Sequence, residues 1–507
     1  MYSTLDLTKR RFLIGAGSTA VGLAASCAAL GVNDKKSWDL IVVGAGTAGI
    51  PAAIFAARRG ARVLLIEASA QLGGTLHLST GQMSAAGTKI QKQKGIVDTP
   101  AEHLDDVWRI SKGTVNRDLV KLAVENAAEA YDWLMDSGFD MIPTHPVKGQ
   151  AHEPYSQNRY YWGHDGGVSI LKVLEYEIQP EIKSGRVTWL SRQQAKKLLV
   201  GEGDAVTGVV SEGEDGKSTA HLGKFVLLAT GGFNSNIKMF EELTGAKHYA
   251  RMSYPYAMGQ GLTMALDVGA YARGKEQYLC NFGGIMGTDE PQSQVIARFN
   301  TYPERRQPWE IYVNVRGERF VREDVPSVDQ REHALLKQPD FRFWIVFDDQ
   351  ILKDSPHPVE ALERAEYEAA FNDRPMFHKA DTLEGLAAKA GIDAAGIKAS
   401  VAVFNNGRDS KTDKFGRVHM PLPIAKGPFY AIRHQGYSIT STVGIAVNND
   451  LQVVRQDGST IKGLYAAGEL LGTAQLMGSA FCGGMNVMPA LTYGKLLGGR
   501  MIPFTSA

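Results

Sequence analysis

The sequence contains very little cysteine. Its three cysteines, Cys27, Cys280 and Cys482, are too few and too scattered to form a disulfide framework. It has no C-x-x-C-H motif, which excludes an attached c-type haem, and no cluster of cysteines that would hold an iron–sulfur centre. If the protein transfers electrons, a separate carrier must bring or remove them.

The sequence also lacks an excess of charge of either sign. Lys plus Arg total 55 and Asp plus Glu total 54, so no sustained basic surface is available to neutralise a nucleic-acid backbone. We therefore expect no nucleic-acid partner.

The size and composition are those of a large globular protein. Its 507 residues exceed the length at which a single core keeps growing, so two domains of an α/β protein are expected. The hydrophobic content of 44% and the charged content of 21% are ordinary. The 55 glycines indicate many tight turns and many places where the backbone approaches a ligand.

The first 35 residues resemble a twin-arginine export signal. The stretch TKRRFL precedes a weakly hydrophobic run of small residues and then the polar stretch NDKK. Lys9 replaces the first arginine of the usual pattern. The resemblance implies export by the Tat machinery, with the protein periplasmic or exported and possibly membrane-associated. A membrane anchor and lipidation at Cys27 stay open as alternatives.

A dinucleotide-binding fingerprint follows the signal. Leu40 to Val43 is a short apolar run typical of a buried parallel strand, and GAGTAG, Gly44 to Gly49, comes directly after it. A helical pattern and a second apolar strand follow, and Glu67 ends that strand. Gly44 allows a tight turn, Gly46 lets the backbone reach a pyrophosphate, and Glu67 would accept hydrogen bonds from ribose hydroxyls. FAD and NAD both satisfy this pattern.

Three later blocks distinguish the two cofactors. They are ASAQLGGTLHLSTGQMSAAGT after Glu67, FVLLATGGFNSN from Phe225, and GLYAAGELLG from Gly463. With the fingerprint, they resemble the flavoprotein family of fumarate reductases, succinate dehydrogenases, urocanate reductases and 3-ketosteroid Δ1-dehydrogenases. GGTLHLSTG and MPALTYGKLLG are most similar to the ketosteroid dehydrogenase branch. The resemblance covers almost the whole mature chain and implies FAD.

The resemblance also implies a fold. It is α/β, with a Rossmann-like FAD-binding domain of the glutathione-reductase type and an inserted α+β capping domain. The FAD-binding domain would comprise residues 37–276 and 441–507, and the cap residues 277–440. Closure of the cap would exclude water from the site.

The predicted FAD contacts come from the same resemblance. The histidine that bonds flavin covalently in succinate dehydrogenases falls on Thr75, and His77 is out of register, so non-covalent FAD is expected. A terminal helix beginning near Met485 would direct its N–H groups at the flavin. The predicted contact residues are Gly44, Gly46, Ala48, Gly49, Glu67, Ala68, Gly73, Gly74, Thr75, Ser79, Gly81, Gln82, Met83, Ala229, Thr230, Gly231, Glu469, Asn486 and Val487.

The substrate side differs from dicarboxylate-reducing members of the family at four positions. Phe481, in GSAFCGGMN, replaces an arginine that clamps a carboxylate, and Phe282 replaces a histidine. Ser327 replaces the proton-donating arginine, and ITSTVG replaces a segment with a second histidine. These changes imply a pocket for a flat, mostly apolar substrate, lined by Phe282, Phe481, Thr440 and His164.

The family positions do not identify the catalytic acid or base. The two catalytic tyrosines of ketosteroid dehydrogenases fall on Ser327 and Phe481. Cys482 has no adjacent His or Lys to lower its pKa and is expected to be a packing residue. No metal site is predicted. The candidates for acid and base are Tyr437, Ser327, Asp329 and Arg331.

The predicted function is that of an FAD-dependent oxidoreductase acting on CH–CH bonds next to a carbonyl. The leading substrate is a small hydrophobic or cyclic ketone, steroid-like compounds included, and the electron carrier is a separate molecule. One alternative is reduction of a monocarboxylic enoate whose carboxylate binds Arg305 and Arg306, or Arg331. The other is a flavoprotein without redox turnover, or an isomerase.

Overall fold

The computed structural model of the protein describes residues 37–149, 152–249, 253–290 and 292–504. The predicted export signal lies outside these residues. Among the helices of the described ranges, none is both long enough and apolar enough to cross a membrane.

The strands are short and are distributed over most of the chain. They are β1 (Trp38–Val43), β2 (Val63–Ile66), β3 (Met83–Ser84), β4 (Tyr160–Tyr161), β5 (Val187–Leu190), β6 (Gln193–Val200), β7 (Val206–Gly213), β8 (Ser218–Leu228), β9 (Ala272–Arg273), β10 (Asn281–Met286), β11 (Val295–Ala297), β12 (Ile311–Val313), β13 (Arg342–Asp348), β14 (Phe377–Ala380), β15 (Phe429–Tyr437), β16 (Gly444–Ile445), β17 (Gln452–Val454) and β18 (Thr460–Ala466).

The helices lie between and after these strands. They are α1 (Gly49–Arg58), α2 (Lys89–Gln93), α3 (Pro100–Ile110), α4 (Arg117–Asp136), α5 (Gly167–Lys183), α6 (Ile237–Thr244), α7 (Gln260–Asp267), α8 (Val328–Leu335), α9 (Asp349–Asp354), α10 (Arg364–Asp373), α11 (Leu383–Ala390), α12 (Ala394–Ser410), α13 (Thr473–Met477) and α14 (Val487–Leu496).

An eight-stranded sheet forms the centre of the first hydrophobic core. Its main path runs β17-β18-β8-β1-β2-β5, and the pairs from β18 to β5 are parallel. β2, with the sequence VLLI, is buried at every position, as expected for a parallel strand covered on both faces. β7 and β6 extend the sheet from β8 as antiparallel strands. The mixed α/β architecture with a parallel sheet confirms the predicted fold class.

Helix α1 connects β1 to β2 and packs almost entirely in the interior. Its residues from Gly49 to Ala57 are buried except for Phe55. Pro51 is tolerated because it lies in the first turn, where its missing N–H has no partner within the helix. The start of α1 is thereby held at the carboxyl end of β1.

A second sheet is the centre of a second hydrophobic core. It runs β11-β10-β15-β13-β12, with β14 also paired to β15, and its pairs are antiparallel. This core contains buried residues from Cys280 to Tyr437, whereas the first core contains residues up to Ala265 and from Val443 onward. The proposed domain boundaries fall between the two cores.

The two ends of the second core are neighbours in space. Asn281, at the start of β10, pairs with Tyr437, at the end of β15, and the Asn281 side-chain amide donates to the Tyr437 carbonyl at 3.2 Å. The chain therefore leaves the first core and rejoins it at adjacent points.

Candidate functional site

A cleft opens at the carboxyl ends of the parallel strands. Val43, Ile66 and Ala229, at the ends of β1, β2 and β8, form its floor. This is the edge where open α/β sheets bind their ligands.

The glycine turn between β1 and α1 has the shape that a dinucleotide needs. Gly44 has φ 100°, and a Cβ there would lie 2.3 Å from the Ala229 carbonyl oxygen. A Cβ at Gly49 would lie 1.9 Å from the Gly44 carbonyl oxygen, so α1 can only pack this closely with glycine. A Cβ at Gly46 would meet nothing nearer than 3.9 Å. Gly46 therefore borders empty space at the start of α1, where N–H groups favour an anion.

Glu67 is fixed at the end of β2. Its carboxylate accepts hydrogen bonds from the backbone N–H groups of Ala45 and Ser69, both at 2.8 Å. Each carboxylate oxygen can accept a second bond, and Glu67 lines the cleft. The side chain can therefore receive ribose hydroxyls without releasing the turn.

The opposite wall offers further polar groups. The Thr230 hydroxyl oxygen is buried and has no hydrogen-bond partner among the described residues. Gly231, with φ 74°, has open space where a Cβ would stand. Glu469 accepts from the Ser441 N–H at 2.8 Å, and burial raises the pKa of its carboxyl group above the ordinary value. The orphaned hydroxyl and the open glycines fit a bound dinucleotide.

Most of the predicted cofactor residues lie together in this cleft. Those in its lining are Gly44, Gly46, Ala48, Glu67, Ala68, Gly74, Thr75, Ser79, Ala229, Thr230, Gly231, Glu469, Asn486 and Val487.

The other predicted cofactor residues support the lining from behind or beside it. Gly49 packs on Gly44, and a Cβ at Gly73 or Gly81 would collide with Leu171 or with the backbone of Gly166. Met83 is buried in β3, and Gln82 precedes it.

Part of the cleft is lined by residues that were not predicted from the sequence. Tyr254 and Tyr256, whose ring centroids lie 5.6 Å apart, line it together with Gln193, Gln194 and Gln260. The tyrosines belong to SYPYAMG, which contains no binding motif. The one signal that could have indicated a flat ligand is the pair of aromatic residues close to a glycine.

His77 and Cys482 are occupied by structural contacts. The His77 Nε2 atom is hydrogen-bonded to the Leu72 carbonyl at 2.8 Å. Cys482 is fully buried, its Sγ lies 3.9 Å from the Met477 carbonyl, and burial raises the pKa of its thiol.

Helix α8 joins the two phenylalanines of the predicted substrate side. The Phe481 N–H donates to Asp329 Oδ1 at 3.4 Å, and the Phe282 N–H donates to Glu332 Oε1 at 3.2 Å. Phe481 comes from the first core and Phe282 from the second. One turn of α8 therefore binds both sides of the junction.

A histidine that the sequence reasoning missed completes this junction. His152 Nδ1 lies 3.1 Å from Asp329 Oδ1, and its ring packs on Phe481 with centroids 4.3 Å apart. One side-chain N or O atom from each of His152, Asp329 and Glu332 lies within 4.8 Å of the others. Its segment, HEPYSQN, carries no catalytic pattern, and the pairing with Asp329 is tertiary.

The charges of this cluster influence one another. Burial raises the pKa of Glu332 to about 8. Burial alone would lower the pKa of His152, but the hydrogen bond to Asp329 and the neighbouring carboxylates outweigh it, and the net direction is upward. Because the groups are coupled, the proton belongs to the cluster rather than to one residue.

The predicted catalytic residues have different surroundings. Ser327 is the N-cap of α8, and its Oγ accepts from the Gln330 N–H at 3.4 Å. Arg331 is fully buried, donates to the Thr301 carbonyl, and has no described partner for Nε or Nη2. Tyr437 is buried, with the Arg298 guanidinium carbon 5.6 Å from its ring centroid, and burial raises its pKa to about 12.

The remaining predicted pocket residues lie outside the cluster. The His164 side chain is 52% exposed, and its Nε2 is 3.9 Å from an Asp140 oxygen, which places it at the surface. Thr440 is partly buried, and its carbonyl accepts from the Ser438 hydroxyl at 2.8 Å.

Known proteins resemble this chain over most of its length. A family model described as FAD binding domain matches residues 39–487. The chain is 26% identical over 485 residues to the probable fumarate reductase Ifc3 of Shewanella frigidimarina, covering 93% of this chain and 76% of that protein. It is 27% identical over 459 residues to vinyl phenol reductase of Lactiplantibacillus plantarum, covering 85% and 89%. Its fold is similar to that of 3-ketosteroid Δ1-dehydrogenase from Sterolibacterium denitrificans, with a TM-score of 0.74 at 20% identity, covering 92% of this chain and 99% of that chain.

Proposed function

Because the chain belongs to the FAD binding domain family, we propose that it interconverts a hydrophobic or cyclic ketone and the corresponding enone. The protein is an FAD-dependent oxidoreductase that acts on carbon–carbon double bonds. Bound FAD supplies the chemistry of hydride exchange with a substrate carbon. The residues of this chain determine which substrate is held there and where its proton goes.

The two phenylalanines at the junction around α8 carry the proposal. Phe481 and Phe282 both hydrogen-bond to this helix through their backbone N–H groups, at positions where the dicarboxylate-reducing relatives are expected to have charged side chains. Two aromatic rings favour a flat apolar substrate and do not bind two carboxylates. The name of the vinyl phenol reductase relative indicates an aromatic alkene, which agrees in chemistry with such a pocket.

The cofactor is proposed to bind without a covalent bond. The His77 Nε2 atom, which would have to form the bond, faces the Leu72 carbonyl at 2.8 Å. Glu67, Thr230 and Glu469 would instead hold FAD by hydrogen bonds from the two walls of the cleft.

A second candidate function is reduction of a monocarboxylic enoate. Arg331 supports it, because its buried guanidinium has Nε and Nη2 without described partners and no described carboxylate pair. Arg306 does not support it, since both of its terminal nitrogens bind Glu310, at 2.9 and 3.0 Å. The Arg305 guanidinium carbon lies 5.8 Å from the Tyr302 ring centroid.

Electron supply and location are also proposals. With no cysteine cluster in the sequence, a separate electron carrier is required. The resemblance of the first 35 residues to a twin-arginine signal supports an exported protein.

Anaerobic reoxidation of the reduced holoprotein tests the function. The substrates are a cyclic enone, a steroid enone, a monocarboxylic enoate, the methyl ester of that enoate, and fumarate. We expect rapid return of flavin absorbance with the enones and none with fumarate. Activity with the enoate but not with its ester would select the second candidate. Rapid oxidation by fumarate would disprove the apolar-pocket proposal, and no oxidation by any compound would favour the non-redox alternative.

A further inference from the structure

The proposed reaction needs a proton donor that the expected family position does not provide. Ser327, which stands at that position, is the N-cap of α8. A serine hydroxyl is also a poor proton donor to carbon. The junction between the two cores contains other titratable groups, among them the cluster of His152, Asp329 and Glu332.

We propose that His152, positioned by Asp329 and Glu332, gives the proton to the substrate carbon in reduction and takes it in dehydrogenation. This inference rests on the proposed function. His152 lies on the segment before β4, on the first-core side, whereas both carboxylates belong to α8 on the second-core side. The acid would thus be assembled only when the two sides are together.

The imidazole is oriented for this role. Its Nδ1 lies 3.1 Å from Asp329 Oδ1, so a proton on Nδ1 is held by the carboxylate. Nε2 has no hydrogen-bond partner among the residues described, and the side chain is 16% exposed. A carboxylate that fixes one ring nitrogen leaves the other to exchange protons with a ligand. The contact of the ring with Phe481, at 4.3 Å, places this free nitrogen beside the predicted pocket wall.

Asp329, which orients the imidazole, is itself held in place by burial and hydrogen bonding. Asp329 is 5% exposed, and one oxygen also receives the Phe481 N–H. Its second oxygen, Oδ2, is buried and has no described partner. An unpartnered buried carboxylate oxygen beside an imidazole favours the charged form of that imidazole.

The segment that carries His152 is anchored a few residues further on. Ser156 donates its N–H and its hydroxyl to Asp106, both at 2.7 Å. Arg159 is fully buried and pairs with Asp98 and Asp106 at 2.6 Å. These ion pairs restrict the loop, so His152 has a defined position next to Phe481.

The surrounding charges allow a proton to be stored. Burial raises the pKa of Glu332 to about 8, and because the groups are coupled the cluster as a whole holds the proton. The other titratable groups that influence the cluster are Arg331 on α8, Cys280 and Tyr437 near Glu332, and Cys482 near Asp329. Arg331 opposes protonation of His152, whereas the two carboxylates favour it.

The step balances without another reactant. In reduction, bound FAD would supply a hydride for the carbon β to the carbonyl, and the electron pair of the double bond would move to the α carbon. The α carbon forms a C–H bond with the proton from His152 Nε2, and neutral imidazole remains. In dehydrogenation neutral His152 takes the α proton, the double bond forms, and the hydride from the β carbon would pass to bound FAD.

His152, Asp329 and Glu332 together also have the composition of a divalent-cation site. The experiment therefore includes metal binding as one of its outcomes. A bound cation needs unprotonated ligands and would displace the stored proton. Metal analysis of the purified holoprotein therefore separates the two roles.

Nuclear magnetic resonance of holoprotein labelled with ¹⁵N-histidine is the first test. We expect the His152 resonance to titrate above the ordinary histidine pKa and Asp329→Asn to lower that pKa. The resonance of His221, which bonds Ser211 on the far antiparallel strands, should not change in that variant. An ordinary His152 pKa that is insensitive to Asp329→Asn would overturn the proposal, whatever the substrate.

Turnover is the second test. We expect His152→Gln to lower kcat by about 10²-fold or more, with FAD content and flavin spectrum unchanged, and added imidazole to restore part of the activity of His152→Ala. His221→Gln should behave as the wild type. Unchanged kcat in His152→Gln, or stoichiometric metal whose removal abolishes activity, would contradict the inference. If no enone or enoate oxidises the wild-type protein, the proposed function fails. The titration still shows whether Asp329 raises the pKa of His152.

Discussion

The backbone N–H of Phe282 donates to the carboxyl group of Glu332 at 3.2 Å. Glu332 is 3% exposed, and its neighbours include the carboxylate of Asp329. A carboxyl group in such a place is most stable in its neutral form. The stability of the junction should therefore depend on pH in a direction opposite to that of most acidic residues.

Glu332→Gln should remove this dependence. The pKa of Glu332 is about 8 in the folded protein, against about 4.3 in an unfolded chain. Between these values the folded state holds a proton that the unfolded state releases, so the free energy of unfolding falls as pH rises and levels off above pH 8. The stability gain of Glu332→Gln over the wild type should grow across this interval. Urea denaturation at pH 5, 7 and 9 measures it, with the exposed Glu175→Gln as the control.

Gly46→Val should give a folded protein without FAD. A Cβ at Gly46 has nothing within 3.9 Å, so the backbone tolerates it, but the added methyl groups would fill the cleft beside the start of α1. The ratio of flavin to protein absorbance and the circular dichroism spectrum check both parts. Gly499→Val is the matched control, because a Cβ there also has only one contact at 3.9 Å, from Phe55, and lies outside the cleft. Equal FAD content in the two variants would contradict the placement of the pyrophosphate.

Phe481→Arg should lower turnover of a hydrophobic ketone. The new guanidinium would pair with Asp329, whose Oδ1 receives the Phe481 N–H, and would place a charge where an apolar ring now stands. We expect kcat/KM to fall about tenfold or more, since hydrophobic pocket contacts have effects of that size. Phe481→Leu keeps an apolar wall and should retain more activity in the same steady-state measurement. If both variants lose equal activity, the aromatic shape rather than the absence of charge is the important property.

Arg319→Met should destabilise the second core. Arg319 pairs with Glu323 at 2.7 Å and with Asp413 at 2.6 Å, and all three side chains are at most 2% exposed. Removing the arginine leaves the buried Asp413 without its cation and leaves Glu323 with only Arg417, 3.4 Å away, which costs about 3–5 kcal/mol. The Arg316–Glu318 pair is more than half exposed, so Arg316→Met should change stability by less than about 1 kcal/mol. Denaturant unfolding of both variants makes the comparison.

The fold class and the cofactor could be predicted from the sequence. An apolar strand, a glycine turn and a helix within about twenty residues predict the nucleotide-binding unit, and the family resemblance of the longer blocks implied the rest of the fold. Gly44 and Gly49 are required by steric contacts that any such turn creates, and the resemblance of the later blocks identified FAD. Tyr254 and Tyr256 escaped prediction because they reach the cleft from a segment without regular structure.

The substrate side is formed by contacts between residues far apart in the sequence. Residues such as His152 therefore could not be predicted from local patterns. His152 meets Asp329 across 177 positions of the chain, and neither neighbourhood contains a spacing that indicates the other. Ser327 could be aligned with an acid, but only the start of α8 shows that its hydroxyl accepts a helix N–H. His164 was predicted to line the pocket, and its side chain is half exposed beside Asp140.

Because Asn281 pairs with Tyr437, the two points at which the second core is connected to the first lie side by side. An insertion whose two ends are held side by side can grow, shrink or be exchanged without pulling apart the strands that carry the nucleotide. Substrate preference can thus change when the second core is replaced and the first core is kept. The replacement must again place a helix turn with two carboxylates next to the loop that carries His152.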